Sequence, residues 1–388
     1  MKFSHLADCH LGSWRQEELQ KLNLESFKKA IEISIQEKVE FVLITGDLFD
    51  SAYPPIEILE SAFEQLKKLK DNKIACYLIA GSHDYSASGK TFLSVLEKAG
   101  FCKNLYNPEE IKGEIFLNPI IHKNIALYGY PGKKSGLELE ELRKIKLQQA
   151  PGLFRIFALH TCLEDAIGKL PIEHIKKSEL PEADYYALGH LHIDYDDGKF
   201  VYAGPTFPDN FQELEELKYG SFYLIEANEN IKNKKIEIKL KEVELFEIEI
   251  ENAITGTDKI IAELNKRDLS NKIVLLKVFG KLKQGKTSDI KFDIIEKFAR
   301  EKQAYSVLKS TSKIDAEEAK IDLEIEETGK MEEDIISKYR ETNKTKFDLF
   351  IIPLISALSM EKHEDETQLT FNNRLFSELS KIINLEVR

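Results

Sequence analysis

Eight residues stand out by type and by place. Asp8 and His10 occur in ADCH, Asp47 in TGDLFD, His83 and Asp84 in GSHD, His160 in ALHT, and His190 and His192 in LGHLH. Each group directly follows a short apolar run. Mixed imidazole and carboxylate ligands suit manganese, iron or zinc. Residues one position apart on a loop can face the same ion, as Asp8/His10 and His190/His192 would. A carboxylate such as Asp47 could bridge two ions. A pair of ions about 3.5–4 Å apart suits phosphoryl chemistry, because it acidifies a bound water, orients the phosphate and neutralises charge on its oxygens. Taken singly, GD after a strand, D-x-H and GHLH are common in α/β proteins and carry little weight. Their joint occurrence in this order points to a site. His5, His122, His174 and His363 fit no such pattern.

Delivering these side chains to one cleft requires strands that end at a common edge, where open α/β sheets bind ligands. The sequence predicts strands over Lys2–Ala7, Phe41–Thr45, Ile74–Ala80, Ile125–Tyr130, Leu153–Leu159, Tyr185–Leu188, Phe200–Tyr202 and Ser221–Ile225. A helix is expected over Leu22–Lys38, with Leu24, Phe27, Ile31 and Ile35 on one face. A second helical stripe runs through Ile56, Leu59, Phe63, Leu66 and Leu69. Strands separated by helices give an α/β layered domain. Beyond it, a lysine-rich alternating segment at Ile231–Lys241 leads to a smaller α/β unit. That unit should contain helices near Lys259–Leu264 and Phe292–Arg300, and strands at Ile273–Phe279 and Ala304–Leu308. A heavily charged stretch follows to about Lys346. A final apolar segment then carries Phe350, Ile351 and Leu354, and an amphipathic helix carries Phe371, Leu375, Phe376, Leu379 and Ile382.

Composition bounds the class. The 388 residues allow two to three domains, and 42% apolar residues can fill a core. A net charge of −12 argues against coating nucleic acid by bulk charge, although local lysines and metal ions can reverse the sign at a site. Four scattered cysteines without paired spacing read as free thiols in a reducing compartment. MKFSHLADCH shows no signal peptide, and no apolar run is long enough to span a bilayer. A soluble protein, cytoplasmic or nucleoid-associated, is expected.

In order, D-x-H, GD, a GNHD-like motif, H and GH-x-H resemble the signature of the calcineurin-like metallophosphoesterases. FSHLADCHLG, LITGDLFD, and GHLH followed by YAGPTFPDNF are similar to one branch. That branch is the meiotic-recombination-eleven nuclease family, called SbcD in bacteria, here of archaeal type. The likeness covers residues 1 to about 225. It implies a four-layer α/β sandwich of two sheets flanked by helices, a small α/β capping domain and C-terminal helices. The implied boundaries are 1–228 for the nuclease domain, 229–312 for a DNA-binding cap, 313–346 for a charged linker and 347–388 for a helical segment that binds an ATPase.

The resemblance also implies roles. Asp8, His10, Asp47 and His192 would hold one manganese, and Asp47, His160 and His190 the other. His83 would be the catalytic acid, oriented by Asp84. Activity would be 3′–5′ exonuclease on duplex DNA and endonuclease on single strands, in double-strand-break repair. Partners would be a second copy of the chain and a coiled-coil ABC-type ATPase, SbcC in bacteria. Two positions depart from the pattern. Ser82 replaces an asparagine that gives a neutral oxygen to the second metal. Asp50 stands where many members carry a histidine that helps the phosphate.

Two lysine clusters could grip DNA phosphates, Lys232, Lys234 and Lys235 in one and Lys281 and Lys283 in the other. The alternation over Lys232–Lys241 predicts that its lysines share a face; such lysines also protect a solvated strand edge. The stripe from Ile56 to Leu69 is expected to serve the core, with dimerisation implied by resemblance alone. Partner contacts are expected at Phe350, Ile351, Leu354, Leu375, Phe376 and Leu379. Two rivals remain: a phosphoesterase acting on other phosphate esters, and a scaffold whose chemistry Ser82 and Asp50 have weakened.

Overall fold

The computed structural model describes residues 1–86, 89–111, 113–133, 138–168, 172–228, 230–316, 350, 353–354, 357–360, 362 and 368–383. Most of the predicted charged stretch, and Ile351, lie outside these. The chain forms two compact units, one of Met1–Gly280 with Gln284–Ile314, the other of Lys281–Lys283 with Asp315–Arg388.

Strands of the first sheet are β1 (Lys2–Leu6), β2 (Phe41–Thr45), β3 (Ala75–Ile79), β4 (Lys103–Asn104), β14 (Gly220–Ala227) and β15 (Ile231–Ile238), in the order β15-β14-β1-β2-β3-β4. From β1 to β4 neighbours run parallel, while β14 and β15 are antiparallel. The second sheet contains β7 (Ile120–His122), β8 (Ile125–Tyr130), β10 (Phe154–His160), β11 (Tyr185–Gly189), β12 (Tyr195–Asp196) and β13 (Phe200–Tyr202), in the order β12-β13-β11-β10-β8-β7. Its centre, β8-β10-β11-β13, is parallel.

Alternation along the strands makes the layers. Phe3, Phe41, Leu43, Tyr77 and Ile79 face Ile125, Leu127, Ile156, Ala158, Tyr185 and Ala187, forming the core between the sheets. Phe3 stacks on Phe41 at 4.8 Å and meets Tyr185 edge-on at 5.6 Å. The intervening residues Leu6, Val42, Ile44 and Leu78 face outward. There α1 (Glu17–Gln36) and α2 (Ile56–Asp71) cover them with Phe27, Ile31, Ile58, Ala62 and Leu66. Leu59, Leu66 and Leu69 of the α2 stripe are therefore core, as the spacing predicts, with Phe63 partly buried against it, whereas Ile56 at its start is exposed.

On the far side, Tyr128, Tyr186 and Tyr202 project outward from the second sheet under a varied cover. That cover includes α4 (Glu138–Leu142) and a small sheet of β5 (Pro108–Ile111), β6 (Glu114–Leu117) and β9 (Ile145–Leu147). The tyrosine hydroxyls donate to the carbonyls of Gln148, Pro181 and Thr161, which satisfies their polar ends in an apolar layer. The strands of this small sheet are short and largely polar, so no apolar periodicity marks them.

A further sheet of β16 (Val243–Glu249), β17 (Ile273–Leu282) and β18 (Ser306–Ala316) carries α7 (Gly256–Leu264) and α8 (Phe292–Glu301). Ile273, Leu275 and Leu308 pack with Leu19 and Leu22 of α1 and with Phe207 and Leu214. The first sheet continues through β15 to Ile238, beyond the expected boundary at 228, and β18 continues to Ala316. In the other unit, Gln368–Ile383 is a helix with Phe371, Leu375, Leu379 and Ile382 half-buried and Phe376 66% exposed. No helix among the described residues is long and apolar enough to cross a membrane.

Candidate metal centre

The two loops that open the site extend the β1–β2 ladder beyond the strands. Asp8 N–H donates to Gly46 O at 3.2 Å, His10 N–H to Asp47 O at 2.9 Å, Leu11 N–H to Leu48 O at 3.0 Å and Asp50 N–H to Leu11 O at 3.2 Å. Asp8, His10 and Asp47 hold this path with positive φ (47°, 41° and 47°), and His190, just after β11, is also at positive φ (96°). Aspartate and histidine tolerate that region better than most residues, at a cost of about 1–3 kcal/mol each. Close approach also demands glycine. A Cβ on Gly46 would lie 2.1 Å from His160 Nδ1, and one on Gly81 would lie 2.2 Å from Asp47 Oδ1.

Ligand atoms of Asp8, His10 and His192 lie within 4.8 Å of one another, as do those of Asp8, Asp47 and His160. Asp47 Oδ2 is 3.7 Å from His10 Nε2 and 3.1 Å from His160 Nε2, so it stands between the two groups. His10 Nε2 and His192 Nε2 approach to 3.1 Å. Asp8 Oδ1 accepts the His190 N–H at 2.9 Å. The His190 ring is 5.0 Å from that of His160.

The far nitrogens of two rings are already committed. His160 Nδ1–H donates to Thr45 O at 3.0 Å, and His192 Nδ1–H to Glu213 Oε1 at 2.8 Å. Their Nε2 lone pairs therefore point into the site. Asp8 Oδ2, His160 Nε2 and His10 Nδ1 are buried without hydrogen-bond partners. Opposed acceptors in a dry cleft repel unless a proton or a cation lies between them. The donor set of neutral imidazoles and carboxylates fits a divalent cation.

Protons answer the same demand when no cation is bound. Burial would lower His160, but Asp47 and Asp8 carry it up to about 10. His10, likewise buried, rises to about 9 beside Asp50 and Asp47. Asp47 is held well below the carboxylate range, because His160, His10 and the His83 N–H overcome its burial. Burial dominates at Asp8, whose pKa rises, and at His190, whose pKa falls to about 4.

His83 is half-exposed at the mouth. Its N–H donates to Asp47 Oδ1 at 2.7 Å and its Nδ1–H to the main-chain carbonyl of Asp50 at 2.9 Å. Asp84 does not orient this ring, contrary to the sequence reading. Its buried carboxylate accepts the N–H groups of Gly81 (2.9 Å), Phe49 (3.1 Å) and Leu48 (3.3 Å), tying the GSHD loop to the GDLF loop. Burial and the Asp47 charge push it up to about 7. Ser82 lines a pocket of about 580 Å³ with His83, His190, Lys133, Glu138 and Leu139.

Glu213 was missed in the sequence. It follows Asn210, whose side chain caps α6 (Phe211–Leu217) by accepting Glu213 N–H at 3.0 Å, while Glu213 Oε2 accepts Asp209 N–H at 2.8 Å. The D-N-x-x-E spacing of this capping arrangement was the available signal.

The lysine cluster does not share a face. Lys232 and Lys234 are exposed on one side of β15, but Lys235 points to the other and pairs with Asp194 at 2.7 Å. The apolar alternation breaks at the Lys234–Lys235 doublet, so the two side chains must diverge. Lys281 is the residue before the last of β17, and Lys283 follows the strand's end at Leu282. Phe350 and Leu354 are helical and half-buried, and Ile351 lies outside the described residues.

A model of the calcineurin-like phosphoesterases matches residues 1–194. The DNA double-strand break repair protein Mre11 of Methanocaldococcus jannaschii is 29% identical over 309 residues, covering 73% of this chain and 77% of that protein. Mre11 of Archaeoglobus fulgidus is 26% identical over 315 residues, with 72% and 68% covered. Mre11 of Sulfurisphaera tokodaii is 31% identical over 230 residues, with 54% of each chain covered. The family match spans half of the chain and includes every strand end from Asp8 to His192, and on that ground the protein belongs to the calcineurin-like phosphoesterase family.

Proposed function

We propose that this protein is a two-metal DNA nuclease of double-strand-break repair. The observation that carries the reading is Asp47 Oδ2, placed between His10 Nε2 and His160 Nε2, the latter buried without a hydrogen-bond partner. Similarity to the Mre11 proteins supplies the substrate class. Asp8, His10, Asp47 and His192 would hold one ion, and Asp47, His160 and His190 the other, beside Ser82. Manganese is the proposed metal. When bound, the ions would supply charge neutralisation for the phosphate and an acidified water.

The remaining work falls to the chain. Thr45 O and Glu213 hold His160 and His192 in the tautomer that presents Nε2. His83 has Nδ1–H committed to Asp50 O, so its exchangeable proton is at Nε2, where it can be passed to the leaving oxygen. Exonuclease action on duplex ends with 3′–5′ polarity and endonuclease action on single strands are the proposed activities.

Residues 229–312 are the proposed DNA-binding cap, with Lys232, Lys234, Lys281 and Lys283 for phosphates, and 347–388 the proposed site for a coiled-coil ABC-type ATPase after a linker at 313–346. The exposed Phe376 supports the last point. Exposed Tyr53, Ile56 and Val95 support a homodimer. The test is manganese-dependent cleavage of duplex and single-stranded DNA beside an Asp47→Ala control. Cleavage of small phosphate esters without DNA cleavage would overturn the reading.

A further inference from the structure

Asp50 occupies a position with two outputs. Its side chain, 37% exposed, places Oδ1 3.4 Å from His10 Nδ1, a buried nitrogen that makes no hydrogen bond. Its main-chain carbonyl accepts the His83 Nδ1–H at 2.9 Å. The residue is itself fixed by the Asp50 N–H bond to Leu11 O at 3.2 Å, the last rung of the extended β1–β2 ladder. His10 and His83 meet edge-on at 4.7 Å, so one residue borders both rings.

We propose that Asp50 is a positioning residue that couples the metal centre to His83: its carboxylate holds the far nitrogen of His10, and its carbonyl holds the far nitrogen of His83. The three imidazoles nearest Asp47 and Asp8 then share one arrangement. His160 is held by Thr45 O and His192 by Glu213, each through Nδ1, and His10 joins them once Asp50 Oδ1, 3.4 Å from its Nδ1, closes on it, which leaves each Nε2 for a cation. A side-chain carboxylate on a partly exposed loop closes a 3.4 Å gap by rotation, without moving the main chain that serves His83. This also accounts for an acidic residue at a site that handles phosphate. Its charge is spent on an imidazole, not presented to the substrate. The inference rests on the metal-binding part of the proposed function and not on DNA as the substrate.

The test is calorimetric titration of manganese into the full chain and into Asp50→Ala and Asp50→Asn, without DNA, with thermal unfolding of each metal-free variant as a check of folding. The expected result is about a 10–100-fold weaker binding of one ion in Asp50→Ala. In Asp50→Asn, whose amide oxygen still accepts the Nδ1–H, binding should be largely restored. The number of ions per chain should stay unchanged. Unaltered binding in Asp50→Ala overturns the proposal. So does the loss of one whole ion per chain, because His10, Asp50 and His83 would then be a metal site in their own right. Failure of the wild-type chain to cut DNA while these affinities behave as expected would remove the nuclease reading and leave this one standing.

Discussion

Replacing Glu213 by alanine tests whether the fold outside the metal ligands tunes the metal. His192 reaches Glu213 Oε1 at 2.8 Å, and the two side chains are 19% and 15% exposed. The pairing raises His192 against its burial and lowers Glu213 against its own. Without the carboxylate, the His192 ring can rotate or carry its proton on Nε2, the atom that faces His10 at 3.1 Å. Losing such a partner costs about 10–100-fold in metal affinity, or roughly 1.4–2.7 kcal/mol. Glu213 also accepts Asp209 N–H at 2.8 Å and Asn210 Nδ2 at 2.7 Å, so truncation removes part of the α6 cap. That second effect costs about 1 kcal/mol of folding and appears without metal. The two are separated by measuring the unfolding temperature of the metal-free chain and, independently, the manganese isotherm. Glu213→Gln keeps an acceptor at the same reach and should recover most of the affinity. A wild-type isotherm for Glu213→Ala would refute the reasoning, whatever happened to the unfolding temperature.

His83→Ala should slow DNA cleavage by about 10²–10⁴-fold while manganese binding holds, measured by single-turnover cleavage beside calorimetry. Asp84→Ala strands three buried N–H donors and should destabilise the metal-free fold by about 3 kcal/mol or more, read from denaturant unfolding; a change confined to kcat would show that it acts on His83 after all. His160 gains a proton in the metal-free fold, its pKa raised to about 10. That stabilisation is complete below the ordinary imidazole value of about 6.5 and is lost as pH rises through about 10. The unfolding temperature without metal should therefore fall across that window, and the increment given by manganese should grow, because binding needs the neutral ring. Removing the residues after Lys346 should abolish co-purification with a coiled-coil ABC-type ATPase while DNA cleavage survives.

What the sequence made legible follows from physical range. Strand ends carrying Asp8, Asp47, His160 and His192 were readable because apolar runs of five or so residues precede them and ligand chemistry restricts the types that follow. The helix over 17–36 was found by its stripe, but its start was placed at Leu22, since Glu17, Glu18 and Gln20 carry no apolar signal. Contacts between side chain and main chain were not readable. Asp84 next to His83 in sequence suggests a partner for the ring, yet the loop turns its carboxylate toward Gly81 and the GDLF backbone. Lys235 was assigned to the face of Lys234, although adjacent strand residues project to opposite sides. Glu213 lies outside the strand-end motifs, and only a helix cap brings it to His192.

The geometry also explains why D-x-H works together with GD in this chain. Parallel strands align their exits, so Asp8 and Asp47 leave β1 and β2 on adjacent rungs and their main chains bond to each other, Asp8 N–H to Gly46 O and His10 N–H to Asp47 O. With Asp8, His10 and Asp47 at positive φ, the ladder continues beyond the ends of the two strands. Asp8 and His10, two residues apart, both lie beside Asp47. The second sheet meets this edge through His160, whose Nδ1 is anchored on Thr45, the last residue of β2. At Gly46 an added Cβ would lie 2.1 Å from the imidazole itself.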